Sequence, residues 1–277
     1  MTWRTKARAG LGLSPLIWLP LALPSDPIEA PDASGPLTVV SLNLARETRV
    51  DRITTALAAD SVLRRSQILL FQEVASGGNK EDVAQAVGRH LGYFVLAVPS
   101  SADSPNQGLA VLSKFPLSNP TVIPLKRYNL GFHSRIRFAI AVTAQTPLGP
   151  LRIWNVHLDS RINPRDRQVQ LAPVLEDTSR HTGLKLVGGD FNTTHFEWLR
   201  NMIPVRVGSA QRDGVQAAFE AAGFEPALPA DQVTFPFLHQ HLDWLFAAGL
   251  ALRTSGTSEA PFSDHLAIWA ATSPASH

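Results

Sequence analysis

Asp190 and Asn192 stand two residues apart in Gly188-Gly189-Asp190-Phe191-Asn192, just past the apolar run Leu184-Lys185-Leu186-Val187. Side chains at that spacing on an extended segment share one side. A carboxylate and a carboxamide can therefore converge on one small target, such as an attacking water and a phosphate oxygen. The paired glycines let another group approach the backbone closely. In isolation, Asp and Asn after a strand are turn formers. Other apolar runs end the same way. Val39–Leu42 leads to Asn43, Ile68–Phe71 to Gln72-Glu73, and Leu151–Val156 to His157 and Asp159. Pro261-Phe262 leads to Ser263-Asp264-His265, and Asp243 sits inside His241-Leu242-Asp243-Trp244-Leu245-Phe246. A carboxylate in so apolar a run needs a partner.

Phosphate-ester hydrolysis requires charge neutralisation, an activated water and stabilisation of the leaving oxygen. Glu73 offers hard carboxylate oxygens suited to magnesium or manganese. Asn43 would add a neutral oxygen or orient Glu73. His265 can exchange a proton with a phosphate-side group near neutral pH. Adjacent side chains on a strand point oppositely, so Asp243, from a different strand, is a better partner for His265 than Asp264. His157, ending an apolar strand, can donate to a non-bridging phosphate oxygen, and Asp159 reads as a cap of the following loop, with orientation of His157 as the alternative.

The elements that must carry these residues alternate along the chain. Leu37–Leu42, Gln67–Phe71, Tyr93–Val98, Gly108–Ser113, Ser118–Pro124, Ile136–Thr143 and Leu151–His157 read as strands. Leu184–Val187, Leu242–Phe246, Leu250–Thr254 and His265–Ala271 continue the set. Helices are expected over Val50–Arg65, Lys80–Leu91, Asn163–His181 and Gly214–Ala222. Thr194 with Glu197 three later is a capping-box signature for another helix from His195. Pro147-Leu148-Gly149-Pro150 should turn a hairpin. Hairpins mixed with interleaved helices suggest two mixed sheets, face to face, with helices outside.

The stretches SLN, QE, GLAVLSKFP, NVHLDS, GGDFN, LDWLF and SDHLAI, spanning Ser41 to Ile268 in that order, resemble the endonuclease/exonuclease/phosphatase superfamily. The resemblance implies an α/β fold, a four-layer α-β-β-α sandwich, with catalytic loops gathered at one end. It implies a divalent-metal-dependent phosphoesterase, with a nuclease-like phosphodiesterase placed first and a sphingomyelinase-like or inositol-phosphate-type enzyme as the alternative. It also implies residue roles. Asn43, Glu73 and Asp264 would lie at the metal. His157 would bind the scissile phosphate, and Asp243 would orient His265. Asp190 would hold and deprotonate the attacking water while Asn192 donates to the developing oxyanion. Exchanging base and stabiliser between Asp190 and His265 fits the same residues. The pancreatic-type deoxyribonucleases carry a basic, glutamate-containing stretch that has no counterpart in residues 100–107. The glutamate that steadies the phosphate histidine there has no obvious equivalent.

The 277 residues suit one large α/β domain. No cysteine is present, which excludes thiolate metal sites and cysteine nucleophiles. Lys plus Arg number 25 against 23 Asp plus Glu, a net +2, so no general polyanion-binding field exists. Arg135, Arg137, Arg161, Arg165 and Arg167 read as solvated faces with phosphate reception as the alternative. Residues 1–36 read as a signal-like or disordered leader and linker, with export expected, and 37–273 as the catalytic domain. A phosphoester substrate is expected, with no stable protein partner and a monomeric chain. A serine hydrolase is disfavoured because no G-x-S-x-G elbow occurs. A non-catalytic binding module on the same scaffold would require loss of a core polar group, and Asn43, Glu73, His157, Asp190, Asn192, Asp243 and His265 are all present. Phe235-Pro236-Phe237 is the only sequence hint of an apolar membrane-contacting element.

Overall fold

The computed structural model describes residues 35–75, 82–100, 106–131, 134–199 and 202–274. The leader lies outside them except for Gly35 and Pro36, as does the start of the helix expected from Lys80. Among the described residues, no helix is long and apolar enough to cross a membrane.

Two six-stranded mixed sheets and four helices make up the fold. The first sheet is built from β1 (Leu37–Asn43), β2 (Ile68–Val74), β3 (Phe94–Val98), β4 (Gly108–Ser113), β13 (Leu250–Ser258) and β14 (Ala267–Pro274), ordered β13-β14-β1-β2-β4-β3. The second contains β5 (Leu117–Pro124), β6 (Phe138–Thr146), β7 (Gly149–His157), β8 (Leu184–Asp190), β11 (Glu225–Pro226) and β12 (Asp243–Ala248), ordered β11-β12-β8-β7-β6-β5. Each sheet has one parallel pair, β1 with β2 and β7 with β8. The crossovers run through α1 (Val50–Ala59) and α3 (Pro164–Ser179). The other helices are α2 (Val83–Leu91) and α4 (Ala210–Ala221).

Central strands are apolar on both faces because both faces are covered. Val39, Ile68, Leu70, Ile153, Leu186 and Leu245 pack in the layer between the sheets. Their alternates Val40, Leu42, Leu69 and Phe71 pack with Ile53 and Leu57 of α1 and Val87 of α2. Trp154, Val156, Val187, Trp244 and Phe246 pack with Leu171 and Val174 of α3 and Phe219 of α4. Three cores thus separate four layers.

Several boundaries differ from expectation. The helix from Val50 stops at Ala59 because the Asp60 carboxylate accepts from the Val62 and Leu63 amides at 2.7 and 2.9 Å. A separate 3₁₀ turn follows over Leu63–Arg65. The last helix begins at Ala210, not Gly214. His265 precedes the final strand, which starts at Ala267. The helix expected from His195 is instead a two-stranded hairpin of β9 (Phe196–Leu199) and β10 (Ile203–Arg206). Thr194 Oγ1 sits 3.4 Å from the Phe196 amide, two residues on, and the His195 carbonyl accepts from Val207. A capping signature specifies a helix only when a 3.6-residue apolar stripe follows. Here Phe196 and Trp198 alternate with period two, and Pro204 and two β-branched residues follow.

Candidate active site

The carboxyl ends of both parallel pairs open at one end of the sandwich. Asn43 and His157 are the last residues of β1 and β7, Asp190 is the last of β8, and Glu73 is next to last in β2. Asp243 begins β12, which runs antiparallel to β8 and so brings its first residue to the same end. His157, Asp190 and Asp243 are direct register partners across three neighbouring strands. Two glycines make that row possible. A Cβ on Gly189, whose φ is +139°, would lie 1.9 Å from the Val156 carbonyl oxygen. One on Gly188 would lie 2.6 Å from Leu245 of the neighbouring strand β12 and 2.6 Å from Leu70 of the facing sheet.

Asn43, Glu73, His157, Asp190, Asn192, Asp264 and His265 all line one cleft of about 720 Å³. Asp243 is buried behind His265, whose Nδ1 lies 2.8 Å from Asp243 Oδ2. The partnership inferred from strand alternation therefore holds, although His265 is in a loop and the bond itself carries it. Thr234 Oγ1 donates to the same Asp243 oxygen at 2.7 Å and accepts from the Leu242 amide at 2.9 Å. Asp190 Oδ2 is 3.4 Å from His157 Nε2 and 4.0 Å from His265 Nε2.

Other positions refine the sequence reading. The Asn43 side chain makes no hydrogen bond to Glu73, and its oxygen accepts a single one. Its Nδ2 donates to Asp190 Oδ2 at 3.1 Å and its Oδ1 accepts from the Ala45 amide at 2.9 Å. Glu73 sits on a β-bulge: β2 advances from Phe71 to Val74 while β4 advances only from Ala110 to Gly108. Its φ of +50° re-aims the side chain into the cleft. There its oxygens accept from Arg46 Nε at 3.1 Å and Gln107 Nε2 at 3.2 Å. Asn192, at φ +51°, uses its backbone amide on Asp190 Oδ1 and its side-chain Nδ2 on the Leu158 carbonyl. One Nδ2 hydrogen remains for a ligand. Asp264 is exposed at the cleft edge.

Asp159 is not a loop cap, and Arg137 and Arg167 are not solvated. Asp159 is buried, accepting from Arg137 Nε at 3.0 Å and Gln170 Nε2 at 2.8 Å. Arg137 also donates to Gln107 at 2.6 Å, which leads back to Glu73. Arg167 is wholly buried and donates to the Phe191 and Asp159 carbonyls and to Gln211. Burial lowers its pKa to about 9. Arg165 is exposed, while Arg135 and Arg161 line the cleft. Sequence reasoning also passed over the polar layer beneath the site. Gln72 Nε2 donates to Ser41 Oγ and Asn155 Oδ1 at 3.1 and 2.8 Å, and Asn155 Nδ2 donates to the Phe71 and Ala110 carbonyls. Polar residues at the two-residue spacing of inward positions, Ser41 before Asn43 and Asn155 before His157, were the available signal.

Burial dominates the electrostatics. It raises the Asp190 carboxyl to about 7, opposed by the charge on His265 and assisted by Asp243. Burial by itself would lower His265, but the charge and hydrogen bond of Asp243, with Asp190 and Asp264 behind them, raise it to about 10. His157 is held well below its ordinary 6.5, by burial first and then by the nearby Arg137, His265 and Arg46 charges. Near pH 7 the cleft thus sets an Asp190 carboxyl raised far above its ordinary range between an imidazolium on one side and a neutral imidazole on the other. His157 Nδ1 is buried with no hydrogen-bond partner. Asp190, Asp243 and His265 also present ligand atoms within 4.8 Å of one another, one possible cation position.

Similarity to known proteins follows this geometry. The sequence profile of the Endonuclease/Exonuclease/phosphatase family matches residues 40–265. No curated protein matches the chain. Among solved structures, an endonuclease/exonuclease/phosphatase from Beutenbergia cavernae superposes with TM-score 0.66 at 18% identity, covering 87% of this chain and 72% of that one. The human Nocturnin catalytic domain, with a bound sulfate anion, gives 0.64 at 20% identity over 87% and 94%. ANGEL2, described as a 2′,3′-cyclic phosphatase, gives 0.61 at 14% over 86% and 95%. At these identities the structural likeness speaks for the fold alone, and the profile match speaks for ancestry. The chain belongs to the Endonuclease/Exonuclease/phosphatase family, whose members are metal-dependent phosphoesterases.

Proposed function

We propose that this protein hydrolyses a phosphodiester with the help of magnesium, or manganese in its place. The observation that carries this reading is Asp190, set between His157 and His265 with its carboxyl raised to about 7. Such a carboxylate is matched to taking a proton from water near neutral pH. His265, kept cationic by Asp243, offers Nε2–H to a phosphate oxygen, which favours Asp190 as base and His265 as stabiliser. His157 offers a second, neutral contact, and Asn192 the free hydrogen of its amide. Glu73 and Asp264 would hold the cation. Both present hard oxygens to the cleft, and the Arg46 guanidinium already places positive charge against Glu73. In the buried trio, by contrast, the carboxylates are almost wholly enclosed and His265 already lies between them as a cation. When bound, the cation neutralises charge on the phosphate oxygens.

The test is a substrate panel, with magnesium and with chelator: a chromogenic phosphodiester, plasmid DNA, RNA, sphingomyelin and inositol phosphates. Magnesium-dependent turnover of the chromogenic diester is expected. Its absence across the whole panel would leave a binding module on the same scaffold. A lipid-borne diester is the second reading, favoured over nucleic acid by Phe237 and Leu238, exposed on the turn whose Phe235 and Leu238 wall the cleft.

A further inference from the structure

Seven large apolar side chains are exposed among the described residues, and six of them belong to two elements that wall the cleft. Leu199, Met202, Ile203 and Val205 belong to the β9–β10 hairpin; Phe237 and Leu238 belong to the tight 3₁₀ turn Pro236–Leu238. Exposure reaches 70% at Met202 and 83% at Phe237. Both elements also wall the cleft, the hairpin through Phe196, Trp198 and Pro204, the turn through Phe235 and Leu238. The Phe235 ring packs against His265 in a tilted contact with centroids 4.9 Å apart, so the turn is continuous with the chemistry.

Strand register explains why the hairpin is apolar on two sides. Ile203 pairs with Leu199 and Val205 with Glu197, on one face; Pro204 pairs with Trp198 on the other. The cleft takes the second face. Among the described residues nothing covers the first, where Leu199, Ile203 and Val205 stay exposed, and β9 and β10 join neither main sheet. An isolated two-stranded ribbon is marginal in water, and a contiguous apolar patch of this kind marks a contact site.

Charge identifies the occupant. Arg206, exposed, ends the hairpin, and Arg212 lies just beyond it at the start of α4, its Nε 3.4 Å from Asp213. Arg161 lies over the Trp198 ring at 4.9 Å, at the cleft wall. An apolar tip backed by the guanidiniums of Arg161, Arg206 and Arg212, with Glu197 the one acid on the hairpin itself, fits a lipid–water boundary with phosphate headgroups, the tip entering the acyl region and the guanidiniums meeting the phosphates. We infer that the hairpin and the Phe237 turn dock this protein on an anionic phospholipid surface, which would bring a headgroup phosphodiester to the cleft. The substrate part of this inference rests on the reading given under Proposed function; the docking part does not.

The experiment is vesicle flotation of the full chain in chelator, where no turnover occurs. Vesicles of phosphatidylcholine alone are compared with phosphatidylcholine plus phosphatidylglycerol. Binding to both is expected, stronger to the anionic set and weakened by salt. The Met202→Glu/Ile203→Glu variant should bind about tenfold more weakly or worse, the scale of withholding one large apolar side chain from lipid. Phe237→Glu, on a separate element, should do the same and covers a failure of the hairpin variant to fold. Val169→Glu, the exposed apolar residue on α3, should change nothing. All three should keep hydrolysis of the soluble chromogenic diester. Docking is overturned if the native chain does not float, or if both rim variants float as well as it does. It is equally overturned if light scattering shows a dimer that these variants dissolve, or if the patch retains nucleic acid instead of vesicles. Failure here with diester hydrolysis intact removes the docking alone; flotation without any hydrolysis removes the chemistry alone.

Discussion

The two β-α-β crossovers of this protein share a topology and deliver opposite kinds of site residue. In β7-α3-β8, His157 and Asp190 end the strands in direct register, each at most 3% exposed. In β1-α1-β2, the register runs only to Asn43 and Gln72, and the extra residue at the bulge turns Glu73 outward with 16% of its side chain exposed. Unbroken register yields a buried group whose protonation is shifted; a bulge yields a partly exposed carboxylate facing the cleft, the one proposed above for the cation. Acid–base chemistry benefits from desolvation, whereas a hard cation needs oxygens it can reach without a deep burial penalty. One family of strands thus supplies both by a single inserted residue.

The largest expected effect comes from breaking the buried half. Asp190→Asn should lower kcat on a chromogenic diester by about 10³-fold, within the range for a lost general base. A loss under about tenfold would remove Asp190 from that role. Glu73→Gln should instead act on the cation. The magnesium concentration for half-maximal rate should rise by at least the roughly 10–100-fold that follows loss of a metal-supporting group. An unchanged magnesium requirement would detach the bulge from the cation.

Gly189→Ala tests the register itself. Its Cβ would meet the Val156 carbonyl at 1.9 Å, so β8 must shift away from β7. A loss of about 3 kcal/mol or more is expected in urea denaturation, within the class of strained-backbone substitutions. A smaller effect, on the scale of an ordinary glycine replacement of about 1 kcal/mol, would show that the row tolerates displacement.

The finest contrast is in pH. His265 has its folded pKa raised from 6.5 to about 10, so its ion pair with Asp243 contributes full stability below about 6.5. That contribution is lost as pH rises through about 10. In chelated protein, the stability difference between native chain and His265→Gln should shrink steadily across this window. A difference independent of pH would mean that the pair forms without a charged imidazole.

Much of the architecture was legible because both sheets are covered on both faces. Runs such as Val39–Leu42 and Ile68–Phe71 had to be buried strands, and polar residues immediately after them had to lie at strand ends. The β6–β7 hairpin was legible in its Pro-Leu-Gly-Pro turn. The β9–β10 hairpin was not, because the local capping signature at Thr194 outweighed a short two-residue alternation. That segment turned out to carry the apolar rim, beyond the Phe235-Pro236-Phe237 hint.

Residue types along the chain determined which groups were available and in what order, since hydrophobic alternation dictates strands and strand ends dictate where carboxylates and imidazoles emerge. Only the packing of the two sheets decided what each group does. Asn43 serves Asp190, and Asp159 anchors Arg137. Arg167 became a buried strut, and Asp190 lies between two histidines in opposite charge states. The physical reason is that a side chain's protonation and partners depend on burial and on neighbours distant in sequence. Local pattern encodes neither.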